Sequence, residues 1–359
     1  MNASTMSGGA PRILIIRLSA LGDVVMASGL IPSLRARWPD AHLAWLTEPA
    51  ALPLLKHNPR LDEVLVLPRA HWASLWRERR WRELAASAKA FRTMLRARRY
   101  DLVLDAQGLL KSALCAWFTN APRRIGLAAR EGGRWLVHER PMPDSQDRHL
   151  IGSEYRYLAR YLGVPPAAFR LDLAVGETPR LAARAALDAA GVTGPYAALC
   201  PFTTRPQKHW FEDRWAELAQ RLSAQGLVPV VLGGLADAAA AGRIAGCAPA
   251  VVNLAGRLAL DESVAVIAGA GLLVGVDTGL THVGTALGIP TVALFGSTRP
   301  YLDAGGPGTC VMYDALPCSP CRRRPTCQGR FDCMRQLSVD RVFAQALVQR
   351  TAARAASTP

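Results

Sequence analysis

The chain has 359 residues, half of them hydrophobic, and a formal charge of +15. That apolar share excludes a disordered chain, and the length suffices for two domains of ordinary size, each with its own core. The charge favours an anionic partner, whether nucleic acid, acidic membrane or phosphorylated substrate, without choosing among them.

Residues 1–11 are small and polar and lack the charged-then-apolar layout of a secretory signal, so a disordered tail on a cytoplasmic protein is expected. Apolar strand-like runs then alternate with amphipathic helical runs, the pattern of parallel α/β units. Arg12 to Arg17 reads as a strand, Val24 to Trp38 as a helix, and His42 to Thr47, Glu63 to Leu67 and Leu102 to Asp105 as strands. The first turn, Leu18 to Asp23, lacks Gly-x-Gly-x-x-Gly, which disfavours an NAD enzyme. Asp23 lies just before or at the start of the helix, where it can act as an N-cap or, facing a cleft, as a general base.

Arg69 to Tyr100 holds nine Arg and one Lys against two Glu, a local charge of +8, interleaved with Trp72, Trp76 and Trp81. Such a stretch suits an anionic membrane or a phosphorylated glycolipid headgroup. The alternative is a solvated helix whose tryptophans pack inward.

A break is expected near Val175 to Gly194. A second series follows: strand Tyr196 to Cys200, helix Glu212 to Ala224, strands Val228 to Leu232 and Val251 to Leu254, and helix Asp261 to Ala268. Then Gly275-Val276-Asp277-Thr278-Gly279-Leu280-Thr281-His282 reads as strand, tight turn and helix, with a further strand ending at Phe295. Such a turn exposes backbone N–H groups at a helix N-terminus, where phosphates bind favourably, so a nucleotide-linked substrate is the first hypothesis. The apolar window Val264 to Val276 is shorter than the roughly 18 residues a membrane span needs.

Cys115, Cys200 and Cys247 sit in apolar surroundings and read as core residues. The other five crowd between Cys310 and Cys333. Cys318-x2-Cys321, Cys327 and Cys333 have partial zinc-ligand character, because four thiolates can form a closed tetrahedral site; the alternative is a reduced surface loop. Ser338 to Arg354 reads as a helix, with Ser338 as N-cap and Val339, Val342, Phe343, Leu347 and Val348 on its apolar face. Two doubly wound domains are thus expected, at 12–180 and 190–337, the second including a Cys-rich loop at 310–333. Ligands in such sheets lie beyond the carboxyl ends of the strands, so the active site is expected between the domains.

Ile13 to Pro32 with Ser19, Gly22 and Asp23; Asp105 to Ala113; Thr203-Thr204-Arg205 followed by Lys208-His209-Trp210; and Asp277 to His282 together resemble the bacterial lipopolysaccharide heptosyltransferases, closest to the heptosyltransferase I branch. The likeness keeps one order over residues 12 to 345. It implies a GT-B fold of two Rossmann-like domains. It also implies transfer of heptose from ADP-heptose, with inversion, to the 3-deoxy-octulosonic acid (Kdo) of the lipid A-linked inner core. No Asp-x-Asp pair occurs, so helix N-termini and cations must stabilise the leaving ADP.

By the same resemblance Asp23 is the catalytic base and Lys208 contacts the donor phosphates, beside Thr203 and Thr204. Thr278 and Gly279 offer N–H groups to the diphosphate. Asp277 caps the turn or meets the heptose hydroxyls, and His282 donates to phosphate or sugar. Asp237, after Leu232-Gly233-Gly234, is the candidate for the ribose, although Asp237-Ala238-Ala239-Ala240 departs from a glutamate-rich family version. Ser19, Gly22, Gln107, Lys111 and Arg130, with Arg77 and Arg80 of the basic stretch, are acceptor-side candidates.

No cofactor is required on this reading, zinc at the Cys loop aside. The enzyme is expected to lie peripherally on the cytoplasmic face of the inner membrane, its last helix, 338–359, crossing back to the first domain. The Cys-rich segment looks like branches that add later heptoses, so a heptosyltransferase of type II or III is the alternative within the family. Outside it, the alternative is a basic nucleic-acid-binding protein with a zinc loop; the motif order argues for no nucleic acid.

Overall fold

Strand β1 (Arg12–Ile16) is Arg-Ile-Leu-Ile-Ile, a β-branched run whose last four residues are buried, as a central parallel strand covered on both faces requires. In the computed structural model, which describes residues 9–143 and 149–357, with side chains to 352, it is the middle strand of the first of two sheets. The first eight residues of the expected tail lie outside the described residues.

The chain divides into two units. The first runs to Ala174, apart from His149–Ile151, which belong to the second. Its sheet adds β2 (His42–Thr47), β3 (Glu63–Val66), β4 (Leu102–Asp105) and β5 (Arg123–Gly126) in the order β3-β2-β1-β4-β5, all parallel. Its helices are α1 (Leu21–Ala27), α2 (Leu30–Arg37), α3 (Leu52–Leu55), α4 (Arg69–Arg77), α5 (Trp81–Ala97), α6 (Leu110–Phe118) and α7 (Ser153–Tyr161).

The helix expected from Val24 to Trp38 is therefore two helices. Ser28 Oγ donates to the Val25 carbonyl and accepts from Asp172 N, and Gly29 lies flat against the Phe169 ring, where a Cβ would stand 2.4 Å from the ring. The helix is interrupted there because Pro32 has no N–H for the Ser28 carbonyl, which accepts from Ile31 N instead.

The second unit carries β6 (Tyr196–Cys200), β7 (Val228–Val231), β8 (Val252–Asn253), β9 (Leu272–Val276), β10 (Thr291–Phe295) and β11 (Thr309–Tyr313) in the order β11-β10-β9-β6-β7-β8, again parallel. Its helices are α8 (Glu177–Ala189), α9 (Glu212–Ala224), α10 (Ala238–Cys247), α11 (Leu260–Ala268), α12 (Gly279–Ala286), α13 (Asp332–Arg335) and α14 (Val339–Ser357). The expected break at Val175 to Gly194 contains α8, which packs on α11 with Pro179, Ala183 and Leu187 buried.

Ser338 Oγ accepts from Arg341 N at 3.3 Å, an N-cap as read from the sequence. From α14, Val339, Val342 and Ala346 enter the core of the second unit beside Trp215 and Leu294, whereas Val348 is exposed. The helix falls within the second unit, where it packs on α9 and strands β9 to β11. Among the described residues no helix is long and apolar enough to span a membrane.

Candidate active site

In each sheet the strand order reverses once, between β1 and β4 in the first unit and between β6 and β9 in the second. Loops leaving the carboxyl ends of the two strands at such a reversal flank a natural binding crevice. The predicted residues gather there in both units: Ser19, Gly22 and Asp23 follow β1, and Gln107 and Lys111 follow β4. Lys208 follows β6, and Asp277 to His282 follow β9.

In the first unit Asp23 occupies the third position of α1 rather than its N-cap, which is Ala20. Its Oδ2 accepts from Ala20 N at 3.4 Å and is paired with the Arg17 guanidinium, while the side chain stays 40% exposed. Arg17 itself is buried. It donates to the Ala106 carbonyl at 3.1 Å and lies over the Tyr155 ring, 5.8 Å from its centroid. Burial alone would lower its pKa; its contacts with Tyr155 and with the Asp23 carboxylate raise it above the ordinary guanidinium value. Arg17 was not among the predicted site residues, although a lone arginine closing an apolar strand next to the Leu18 to Asp23 turn was the available signal.

Gln107 Oε1 accepts from Leu18 N at 2.9 Å, and Lys111 Nζ stands 2.9 Å from Glu48 Oε1 and 3.5 Å from Ser19 Oγ. Glu48, also missed, thus anchors the lysine. Beneath them Asp105 is fully buried. Its Oδ1 accepts from Gln107 N and Gly108 N, while Oδ2 has no hydrogen-bond partner among the described residues, and burial raises its pKa to about 6. Arg130 N donates to the Gly108 carbonyl, which ties that segment to the same loop.

Arg77 and Arg80 stand apart, at the tip of the α4–α5 hairpin, where Arg80 is engaged by Glu78 and Glu83. The three tryptophans of that stretch divide. Trp72 turns inward, donating to Ser87 Oγ and packing edge-on against Phe91, whereas Trp76 and Trp81 are exposed and meet edge to face.

In the second unit one carboxylate organises the cluster. Asp277 Oδ2 lies 2.6 Å from Lys208 Nζ and accepts from the Thr298 hydroxyl at 2.5 Å; Oδ1 lies 3.3 Å from His282 Nε2. Lys208 also donates to the Asp277 carbonyl at 2.9 Å. Burial would raise the acid's pKa, but hydrogen bonding and charge from His282 and then Lys208 outweigh it, holding the carboxyl well below the usual range. His282 is buried, with Nδ1 2.9 Å from the Tyr301 hydroxyl. Thr298 and Tyr301 are additions that no local pattern announced.

Gly275 permits this turn. A Cβ there would lie 2.2 Å from Thr281 Oγ1 and 2.9 Å from Cys200 Cβ. Thr278 is the N-cap of α12 but makes no side-chain cap bond, so the first N–H groups of the helix, Gly279 included, remain available to an anion.

Thr203 and Thr204 lie in the loop that carries Lys208, where the Thr203 carbonyl contacts His209 Nε2 at 2.8 Å. Asp237 Oδ2 accepts from Gly234 N at 2.8 Å, a local cap at the end of β7.

The Cys-rich segment braces this cluster: Arg322 N donates to the Ser297 carbonyl, Gln207 Nε2 donates to the Arg322 carbonyl, and Ser319 Oγ donates to the Gly296 carbonyl. All eight cysteines are free thiols. Among the described residues no group of three or more His, Cys, Asp or Glu is placed to hold a metal ion, and Cys333 is buried, its thiol pushed up to about 11 by burial and its cysteine neighbours. Cys115 and Cys200 are core residues as expected. Cys247, at the end of α10, is exposed.

A family model described as glycosyltransferase family 9 (heptosyltransferase) matches residues 88–330. The chain belongs to glycosyltransferase family 9. The family 9 protein is 32% identical to lipopolysaccharide heptosyltransferase 1 of Pseudomonas aeruginosa, over 88% of this chain and 87% of that one. It is 31% identical to lipopolysaccharide heptosyltransferase 2 of Salmonella typhimurium, over 80% and 84% respectively.

Among solved structures it resembles E. coli heptosyltransferase WaaC with ADP-2-deoxy-2-fluoro heptose, with a TM-score of 0.71 and 26% identity over 92% of this chain and 97% of that one. The fold is accordingly GT-B-like, with two parallel α/β sheets, and the protein is a heptosyl-transferring glycosyltransferase.

Proposed function

We propose that this family 9 enzyme transfers L-glycero-D-manno-heptose from ADP-heptose to the Kdo of the lipopolysaccharide inner core, with inversion at the anomeric carbon. The observation that carries the division of labour is the opposite treatment of two aspartates. Asp23 keeps an exposed carboxylate with its contacts confined to Oδ2, as a proton acceptor facing substrate requires. Asp277 is buried and saturated by Lys208, Thr298 and His282, which unfits it as a base and fits it to position cations for the donor.

In the proposed reaction Asp23 takes the proton of the acceptor hydroxyl as that oxygen bonds to the heptose C1. The C1–O bond to the diphosphate breaks on the opposite side, and ADP leaves with the electron pair. Lys208 and the free N–H groups at Thr278 and Gly279 stabilise the charge gathering on the diphosphate. Arg17 holds the Asp23 carboxylate in position, and Gln107 and Lys111 bind the anionic acceptor sugar. Thr203 and Thr204 support the donor loop, and Asp237 reaches the ribose once its cap bond yields. Because the acceptor is lipid-anchored, the enzyme works at the cytoplasmic surface of the inner membrane.

Transfer from ADP-heptose to a panel of truncated core acceptors, read by mass, tests this reading. A single heptose added to a Kdo-terminated acceptor supports it. Addition only to a heptose-terminated acceptor assigns the enzyme to a later step, a second reading that the Cys318-x2-Cys321 segment favours.

A further inference from the structure

Helix α6 carries an apolar stripe that the proposed chemistry leaves unused. Leu110, Leu114 and Trp117 recur at the i, i+4, i+7 spacing of one helix face, and all three are exposed, while Ser112, Ala113, Cys115 and Ala116 are buried. Beside it, in the single turn Gly133–Trp135 that packs on α6, Trp135 is 78% exposed. Two arginines stack on these same rings: Arg92 of α5 lies 5.4 Å from the Trp117 centroid and Arg134 lies 4.7 Å from that of Trp135.

A contiguous apolar patch at the surface calls for a partner. Tryptophans partnered by guanidinium groups match the boundary of an anionic bilayer, where rings sit at headgroup depth and arginines reach lipid phosphate.

The placement of the stripe gives it a purpose. Lys111, next to Leu110, turns the other way into the cluster with Glu48 and Ser19 at the end of β1. One helical turn thus presents leucines outward and a cation toward the acceptor side. A glycolipid that keeps its acyl chains in the bilayer while its sugar reaches Asp23 needs that short span. The α4–α5 hairpin is less suited, since Trp72 is turned inward and Arg80 is already engaged by two glutamates.

We propose that the outer face of α6 with Trp135 is the surface by which this enzyme docks on an anionic lipid bilayer, an inference that rests on the lipid-anchored acceptor proposed above. Co-sedimentation of the full-length protein with vesicles of phosphatidylethanolamine and phosphatidylglycerol tests it, with phosphatidylcholine vesicles as reference. The wild type is expected to bind the anionic vesicles, and the Leu114→Glu/Trp117→Glu variant to lose about tenfold or more in partitioning. Both positions are exposed, and circular dichroism verifies the fold.

The variant should transfer heptose to a soluble, deacylated acceptor at the wild-type rate and lose rate only on vesicle-embedded acceptor. Undiminished vesicle binding by the variant overturns the proposal, as does a larger loss from Trp76→Glu/Trp81→Glu, or a wild-type dimer that the α6 substitutions dissociate. Failure of the wild type on every soluble acceptor overturns the acceptor reading instead, and leaves the vesicle result to stand alone.

Discussion

The two units answer one topological question with opposite electrostatics. Each places its functional loops where the strand order reverses, yet the first leaves the Asp23 carboxylate 40% exposed against one arginine, and the second leaves the Asp277 side chain 13% exposed among three partners. A base must exchange a proton with substrate, so it needs access. A phosphate-binding cation must be held still, so its counterion is best buried and saturated. Solvent access and partner number thus separate the two aspartates, and they agree with the proposed assignment of Asp23 as the base.

The largest effect is expected for Asp23→Asn, which removes the proton acceptor while keeping the side-chain shape. Turnover should fall on the order of 10³-fold, measured by product mass at saturating donor and acceptor. Lys208→Ala should lower turnover by about 100-fold through the lost cation at the leaving diphosphate. It should also lower the melting temperature, since Asp277 then keeps a buried charge with one partner fewer. A melting temperature unchanged from wild type would show that the pair contributes nothing to stability.

A third expectation concerns Asp105, whose pKa is raised from 3.8 to about 6 by burial. The folded unit holds this proton more tightly than the unfolded chain does. The resulting stabilisation is complete below about pH 4 and is lost as pH rises through 6, on the order of 3 kcal/mol. Thermal melts of wild type and Asp105→Asn between pH 4 and 7 should therefore converge toward the acid end and separate toward the neutral end, with the variant the less pH-dependent. Smaller still, Arg17→Gln should cost turnover about tenfold by releasing Asp23 from position, with ADP affinity unchanged by calorimetry. Asp237→Ala should cost about 1 kcal/mol or less, as loss of a single cap at Gly234.

Much of this arrangement was legible in the chain because it is local. Strand-turn-helix patterns placed Asp23 after β1 and Asp277 to His282 after β9, and each lies where its own neighbours in sequence put it. Glu48 against Lys111 and Tyr301 against His282 were not legible, because which distant side chains meet is set by packing of the sheet and not by periodicity. The split of one expected helix at Ser28 and Gly29 has a local origin instead, since Pro32 removes the N–H that would bond the Ser28 carbonyl. Helix α8 was lost for a different reason: its glycine, threonine and proline at the start read as a break, although proline in a first helical turn is well tolerated.

The basic stretch shows the limit of composition. Its charge was counted correctly, but three of its nine arginines, Arg69, Arg80 and Arg98, are engaged in salt bridges to Glu48, Glu63, Glu78 and Glu83.

Calorimetric titration of ADP into Asp23→Asn and Asp277→Asn side by side tests the central contrast most directly. Wild-type affinity, within about twofold, is expected for Asp23→Asn, and affinity weakened by about tenfold or more for Asp277→Asn, whose Lys208 loses its anchor. Equal affinity in the two variants, or a loss confined to Asp23→Asn, would contradict it.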